Sequence, residues 1–110
     1  MFVTNIEEIA GYNIVEHYGL VQGSTIRAKH AGRDIMAGLK NIVGGELKGY
    51  TELLMEARRQ ATERMVEQAK ELGANAVLNV RYSTASVAQG AAEVLAYGTA
   101  VKVEAPQQAY

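Results

Sequence analysis

The sequence predicts an α+β subunit in which a small antiparallel or mixed sheet packs on one long helix. The strongest periodic signal is a run with helical spacing over residues 49–73. Two runs of alternating apolar and polar residues follow it, at 75–85 and 93–104. A further strand-like run lies at 12–25, and a shorter helical run at 31–45. The expected order is therefore strand, short helix, long helix, strand, strand.

The first predicted strand carries apolar residues on both of its faces. Ile14, Tyr18 and Leu20 share one parity, whereas Val21 falls on the other, so we expect both faces to be partly covered. Gly19 interrupts this run, which indicates a β-bulge or a close approach of another backbone.

The long helix is predicted from a stripe of small and apolar residues with a period near that of an α-helix. The stripe consists of Leu54, Ala61, Met65, Ala69 and Leu72. Ala61 should therefore lie against the sheet or a neighbouring helix. Arg59 and Glu63 lie four residues apart on the polar face and can form an ion pair. Glu52 is expected in the first turn, and Gly73 ends the helix.

The last two strands are predicted to form a hairpin with a long tip, "SVAQGAA", around Gly90. In the first of them, Ala76, Leu78, Val80 and Tyr82 should face the same side. Pro106 follows the second strand. We therefore expect a single domain at 1–104 and a flexible C-terminal tail at 105–110.

Composition excludes several classes of function. The 110 residues carry a formal net charge of −1, whereas a general nucleic-acid binder has a strong basic excess. The chain has no cysteine, which removes disulfides, thiolate metal sites and cysteine nucleophiles. The first residues show no basic region before an apolar run, and no stretch is apolar for long enough to cross a membrane. We expect a cytoplasmic protein with neither nucleic acid nor membrane as its partner.

One helix can cover only one face of a small sheet, and every predicted strand also carries apolar residues on the second face. A monomer would leave that face exposed as a large patch. The pattern therefore predicts self-association.

The stretch "GGELKGYT" resembles a phosphate-binding P-loop with its lysine replaced by Tyr50. A working P-loop follows a buried strand, but here a predicted helix precedes Gly44 and Gly45. The stretch is interpreted as a turn between two helices, in which Thr51 begins the second helix.

Two other groups of polar residues leave alternatives open. "RAKHAGRD" contains Arg27 and Arg33 just before a predicted helix, which could bind an anion or form a solvated rim. His17 and His30 are the only histidines, and their spacing matches no metal-ligand motif. They could form a metal site only by converging in the fold or between subunits, with carboxylates such as that of Asp34.

The sequence shows no catalytic constellation. Ser24, Ser83 and Ser86 lack the surroundings of a nucleophile elbow, and the glutamates of the long helix lie on its polar face. We therefore expect a protein that is not an enzyme.

Three stretches together resemble the YbjQ family of small bacterial and archaeal proteins. They are "GRDIMAGLKNIVGGELKGYTELLMEAR", "AKELGANAVLNVRY" and "AYGTAV", and the resemblance covers nearly the whole chain in the same order. It implies a dodecin-like subunit that assembles into ring-shaped homopentamers. The family carries a label as a heavy-metal-binding domain, and the resemblance brings no catalytic residue with it.

The sequence departs from many members of this family at two places. Arg81 and Ser83 occupy positions where many relatives have aspartates, and the His17–Gly19 region replaces an early cysteine. Both changes remove ligands that a soft or borderline metal prefers, which weakens the metal label for this chain. The N-V-R form of the strand resembles a second branch of the family.

The function expected from sequence is a homo-oligomeric binding module for a metal ion or a small ligand such as an anion, held at subunit interfaces. The alternative is a scaffold ring without a bound ligand. The cofactor is left unknown. The candidate ligand-binding residues are His17, His30, Arg33, Asp34, Tyr50 and Arg81.

Overall fold

The structure is a computed structural model that describes residues 1–26, 48–88 and 91–107. Its elements are β1 Phe2–Val3, β2 Asn13–Ile26, α1 Lys48–Glu71, β3 Ala76–Ala88 and β4 Ala91–Glu104. The strands form one sheet in the order β1-β3-β4-β2. β1 runs parallel to β3, and the other neighbours are antiparallel. The α+β class with a mixed sheet is confirmed. The predicted short helix at 31–45 lies outside the described residues.

The long helix begins earlier than the sequence indicated. It starts at Lys48, so Thr51 is already inside it and the prediction that Thr51 begins the helix is wrong. Glu52 is accordingly not in the first turn, which contains no acidic residue. Gly44 and Gly45, the proposed turn before this helix, lie outside the described residues.

The helix packs on the sheet through small residues. Ala57, Ala61, Met65 and Ala69 are buried to 1% exposure or less, which confirms that Ala61 faces the sheet. Because alanine side chains are short, the helix can approach β2 closely. Leu72 was expected in this stripe but is 45% exposed, because the helix ends at Glu71 and Leu72 lies in the following turn.

A β-bulge in β3 reverses the faces expected for that strand. Leu78 pairs with Thr99, but the next paired residue, Arg81, lies opposite Tyr97, so β3 has one extra residue there. Asn79 takes the left-handed conformation at φ 54°, which asparagine tolerates better than most residues. Val80 consequently joins the core beneath the helix, whereas Leu78 faces the other side. The predicted common face from Ala76 to Tyr82 is therefore wrong.

Two bulges also interrupt β2. The register against β4 shifts between Ile14 and Glu16 and again between His17 and Gly19. Gly19 has φ 96°, so the predicted irregularity at this glycine is confirmed. The second bulge turns Tyr18 towards the helix side, where it packs against the same core as the helix, whereas Leu20 is 69% exposed. The prediction that Ile14, Tyr18 and Leu20 face the same side is therefore wrong, because each bulge changes the face of the side chains that follow it.

The second face of the sheet is partly covered by the chain itself. β1 lies at one edge of the sheet and β2 at the other, so residues 4–12 must cross between them. Ile9 of this crossing packs against a second buried cluster formed by Ala76, Leu78, Val101 and Val103. The prediction of an uncovered second face therefore needs correction at this end, while the end towards the β3–β4 tip is not covered by the crossing.

The β3–β4 hairpin continues further than predicted. Its strands reach Ala88 and resume at Ala91, and these two residues are paired. The long tip expected over residues 86–92 is therefore wrong, because most of this stretch belongs to the ladder.

Candidate functional site

The structure describes the surroundings of two of the six candidate residues. His17 lies on β2 and Arg81 on β3. Tyr50 belongs to the first turn of α1, and its side chain is outside the described part. His30, Arg33 and Asp34 lie outside the described residues altogether.

His17 lies between the two bulges of β2 and is exposed. It pairs with Val101 of β4 from the edge strand β2, and its neighbour Glu16 lies opposite Lys102. The carboxylate of Glu16 accepts a hydrogen bond of 3.0 Å from the hydroxyl of Tyr18. His17 is thus the one imidazole in the described residues, next to a carboxylate that already has a partner.

The hydroxyl of Tyr18 reaches the C-terminal end of α1. A Cβ built on Gly73 would lie 3.6 Å from the Tyr18 hydroxyl oxygen. Partial desolvation raises the pKa of Tyr18 above 10.0, and the hydrogen bond and negative charge of Glu16 raise it further. Tyr18 thus packs against the core that the helix covers, with its hydroxyl bound to Glu16.

Arg81 stabilises the N-terminal segment rather than standing in an open pocket. Its Nη1 donates to the carbonyl oxygen of Asn5 at 2.7 Å and to that of Val80 at 3.0 Å. The neighbouring backbone is tied to the same segment, because the Asn79 amide donates to Ile6 and the Val80 amide donates to Thr4. The cation of Arg81 thus has a structural role beside the bulge of β3.

One subunit does not bring His17 and Arg81 together. Val101 pairs with His17, whereas Tyr97 pairs with Arg81, and β4 lies between β2 and β3. With a rise of about 3.3 Å per residue and about 4.8 Å between strands, the two backbones lie roughly 16 Å apart. Among residues 1–26, 48–88 and 91–107, no group of three His, Cys, Asp or Glu could hold a metal ion.

Sequence reasoning missed an open groove on one flank of the helix, with a volume of about 460 Å³. Its lining residues recur at helical spacing, a signal that could have been found in the sequence: Arg59, Thr62, Glu63, Val66, Glu67 and Lys70. The hydroxyls of Thr62 and Tyr82 are 2.9 Å apart, which links this flank to β3.

Of the two cations that line the groove, Arg59 is already paired. Arg59 forms ion pairs with Glu56 and Glu63, as the spacing of Arg59 and Glu63 predicted. Glu56, and then Glu63, raise the pKa of Arg59 further above its ordinary value. Because all three side chains are substantially exposed, this cluster contributes little stability, and its charges are available only for weak contacts.

These features define a small α+β protein with a four-stranded mixed sheet under one helix. The profile of a family described as "Putative heavy-metal-binding" matches residues 1–104. The chain belongs to this family, the YbjQ family. Among the described residues, no helix has both the length and the apolar character needed to cross a membrane.

The names of three similar proteins state no activity. A UPF0145 protein of Hahella chejuensis is 70% identical over 104 residues, covering 94% of this chain and 100% of that protein. A UPF0145 protein of Dehalococcoides mccartyi is 59% identical, again covering 94% and 100%. One of Thermus thermophilus is 57% identical and covers 94% and 91%. The family description names binding rather than a reaction.

A solved structure supports the fold. It is a protein of unknown function from Pediococcus pentosaceus, assigned to the DUF74 family. The TM-score is 0.56 at 18% identity, and the match covers 94% of this chain and 98% of that one. At this identity the likeness shows the fold alone.

Proposed function

We propose that this protein is a homo-oligomeric binding module, a ring of five copies, which holds a metal ion or a small anion between its subunits. The single observation that carries the proposal is the concentration of exposed apolar side chains at one part of an elongated subunit. Partner subunits would cover these side chains, and the polar candidates would meet only in the assembly.

Of the eleven large apolar side chains that are exposed in the described part of the chain, eight lie in the first twenty residues. They comprise Met1, Phe2, Val3, Ile6, Tyr12, Ile14, Val15 and Leu20, each between 38% and 69% exposed. Phe2 and Tyr12 are in ring contact at 5.0 Å, so the N-terminal strand and the start of β2 form one continuous surface. An apolar surface of this kind on a small protein marks an interaction site.

The shape of the subunit also supports assembly. Its radius of gyration is 18.0 Å, whereas a compact chain of this length has about 13 Å. An elongated subunit buries less of its own surface than a compact one does, and contacts with further copies would compensate for this.

The described part of one subunit does not fit a heavy-metal site. The chain has no cysteine, His17 is the one imidazole in the described residues, and these residues contain no group of three His, Cys, Asp or Glu that could hold a metal ion. In a ring, each candidate side chain occurs once per subunit around the same axis. Symmetry could thus bring together donors that a single copy separates. Imidazole and carboxylate suit zinc, copper or nickel, and Arg81 suits an anion.

The test is elemental analysis of the untagged protein after exposure to zinc, copper and nickel, together with titration by inorganic phosphate. A metal bound in a fixed ratio to the oligomer, and lost in His17→Gln, would support metal binding. Phosphate binding lost in Arg81→Gln, but kept in the matched Arg58→Gln on the exposed side of the helix, would support anion binding. An intact oligomer that binds none of these probes would favour the scaffold alternative.

A further inference from the structure

We infer that α1 caps the outer edge of β2, so that a separate subunit does not offer this edge to a foreign strand. The cap consists of two helix side chains, Arg64 and Gln68, which bind backbone groups of β2. A strand of any other chain that pairs along this part of β2 must first displace both side chains. This cap belongs to the separate subunit, whatever the number of copies in the assembly.

The edge that needs protection is the second half of β2. This strand is the last in the sheet order and has β4 as its one neighbour among the described strands. Its first half contains register shifts between Ile14 and Glu16 and between His17 and Gly19, and bulges of this kind make an edge a poor template for pairing. The second half, Leu20–Ile26, keeps a regular register against β4 and contains no charged residue and no proline.

Two backbone groups in this second half are held by the helix. The Gln22 amide donates to Oε1 of Gln68 at 2.7 Å, and the Ser24 carbonyl accepts a hydrogen bond from Nη1 of Arg64. In an antiparallel pair, residues whose N–H and C=O point towards the partner strand alternate with residues whose groups point away from it. Because the Gln22 amide binds the helix, Gln22 and Ser24, two residues apart, both point away from β4. They lie on the edge where another strand would bind.

The spacing of the two helix residues matches that of the two strand residues. Gln68 follows Arg64 by four residues, a rise of about 6 Å along an α-helix. Gln22 precedes Ser24 by two residues, about 6.6 Å along an extended strand. The later helix residue binds the earlier strand residue, so α1 runs antiparallel to β2 and one flank of the helix follows the edge.

The helix can hold these side chains over the edge because it lies directly on β2. A Cβ on Gly23, between the two capped residues, would meet backbone atoms of Ala61 and Met65. The same Cβ would lie 2.8 Å from Cβ of Arg64. The side chains of Arg64 and Gln68 therefore need to extend past only one strand to reach its outer side.

Two double variants test the cap. Arg64→Ala with Gln68→Ala removes both side chains, whereas Arg64→Lys with Gln68→Glu keeps a donor and an acceptor at the same positions. Each double variant lowers the formal net charge by one unit relative to the natural chain, so a difference between them does not arise from net charge. Urea unfolding establishes that both variants fold. If the alanine pair does not fold, Gln68→Ala alone takes its place.

Amide hydrogen exchange measures the cap at one atom. Refolding from urea is pulse-labelled at a protein concentration at which labelling precedes the association of subunits. We expect the Gln22 amide to exchange about fivefold or more faster in Gln68→Ala than in the natural chain, because one hydrogen bond is lost. Gln68→Glu should restore the protection, and the amides of Val21 and Gly23, which point towards β4, should stay protected throughout. Equal exchange of the Gln22 amide in the natural chain and in Gln68→Ala would overturn the inference.

Light scattering during refolding measures what the cap prevents. We expect the alanine double variant to aggregate more than the natural chain as the protein concentration rises, because its regular edge is open to pairing. The lysine and glutamate double variant should behave like the natural chain. Equal scattering by the two double variants would mean that Arg64 and Gln68 do not protect the edge, and it would overturn the inference.

Discussion

Gly23 of β2 lies directly against the backbone of α1 at Ala61. A Cβ on Gly23 would be 2.3 Å from the Ala61 carbonyl oxygen and 2.3 Å from the Met65 amide nitrogen. Neither backbone atom can move away without shifting the helix. Around this contact, Gln68 accepts a hydrogen bond of 2.7 Å from the Gln22 amide, and Arg64 donates to the Ser24 carbonyl. The helix is therefore fixed on β2 at a point where only glycine fits.

The first prediction is that Gly23→Ala destabilises the fold. Its methyl group would overlap helix backbone, and overpacking of this kind costs about 1–3 kcal/mol. Urea unfolding should show a lower midpoint than that of the natural chain. Ser24→Ala is the matched control, because it keeps the carbonyl that binds Arg64 and should change stability by less than about 0.5 kcal/mol. Equal midpoints for Gly23→Ala and Ser24→Ala would show that the helix does not approach β2 this closely.

Ala61→Arg should be more damaging. Ala61 is fully buried among core side chains, so the larger side chain overfills the space and brings a charge without a partner. The expected loss is about 3 kcal/mol or more. Met55→Arg adds the same charge on the same helix at a residue that is 58% exposed, and it should leave the melting temperature nearly unchanged. If Ala61→Arg and Met55→Arg have the same melting temperature, the helix does not face the sheet as described.

The bulge of β3 predicts a specific order of stabilities at Asn79. Asn79→Val places a β-branched residue in the left-handed conformation, which costs about 1–2 kcal/mol. Asn79→Gly accepts that conformation and should lose less than about 1 kcal/mol. Thermal unfolding of the two variants measures the difference. A valine variant as stable as the glycine variant would mean that Asn79 does not have a positive φ.

Tyr18 predicts a loss of stability at high pH. Its pKa in the folded state is raised above 10.0, so its contribution is fully present below that pH. The contribution is lost as the pH rises through the folded-state pKa. A tyrosinate absorbance titration of the natural chain minus that of Tyr18→Phe isolates this residue among the six tyrosines. The midpoint of this difference titration should lie above pH 10.0, and Glu16→Gln should lower it. A midpoint below 10.0 in the natural chain would contradict the contact between Tyr18 and Glu16.

Periodicity was enough to predict the helix and its buried face. Ala61, Met65 and Ala69 repeat at four-residue intervals, and such a signal survives errors of one or two residues at the ends. The ends themselves were misjudged, at Thr51 and Leu72, because local composition does not fix the last turn of a helix. The strands at 75–85 and 93–104 were found, but their extension into the hairpin depends on pairing between distant residues.

The faces of the strands could not be predicted beyond each bulge. Alternation assigns a face only while the register is unbroken, and one extra residue moves every later side chain to the other face. Asn79 in β3 and Tyr18 in β2 are two such residues, and no local feature of "LNVR" distinguishes it from a regular strand. The site was less predictable still, because His17 and Arg81 lie on strands that β4 separates, and the side chains of the other candidates lie outside the described part.

Native mass spectrometry of the untagged protein tests the central claim, which is that this chain acts as an assembly of identical subunits. We expect a mass of five subunits, with the oligomer stable on dilution because contacts between copies cover the apolar surface around Phe2 and Leu20. A single-subunit mass at the concentrations where the protein is purified would contradict the account. The exposed apolar surface would then need another explanation, and a site shared between subunits could not exist.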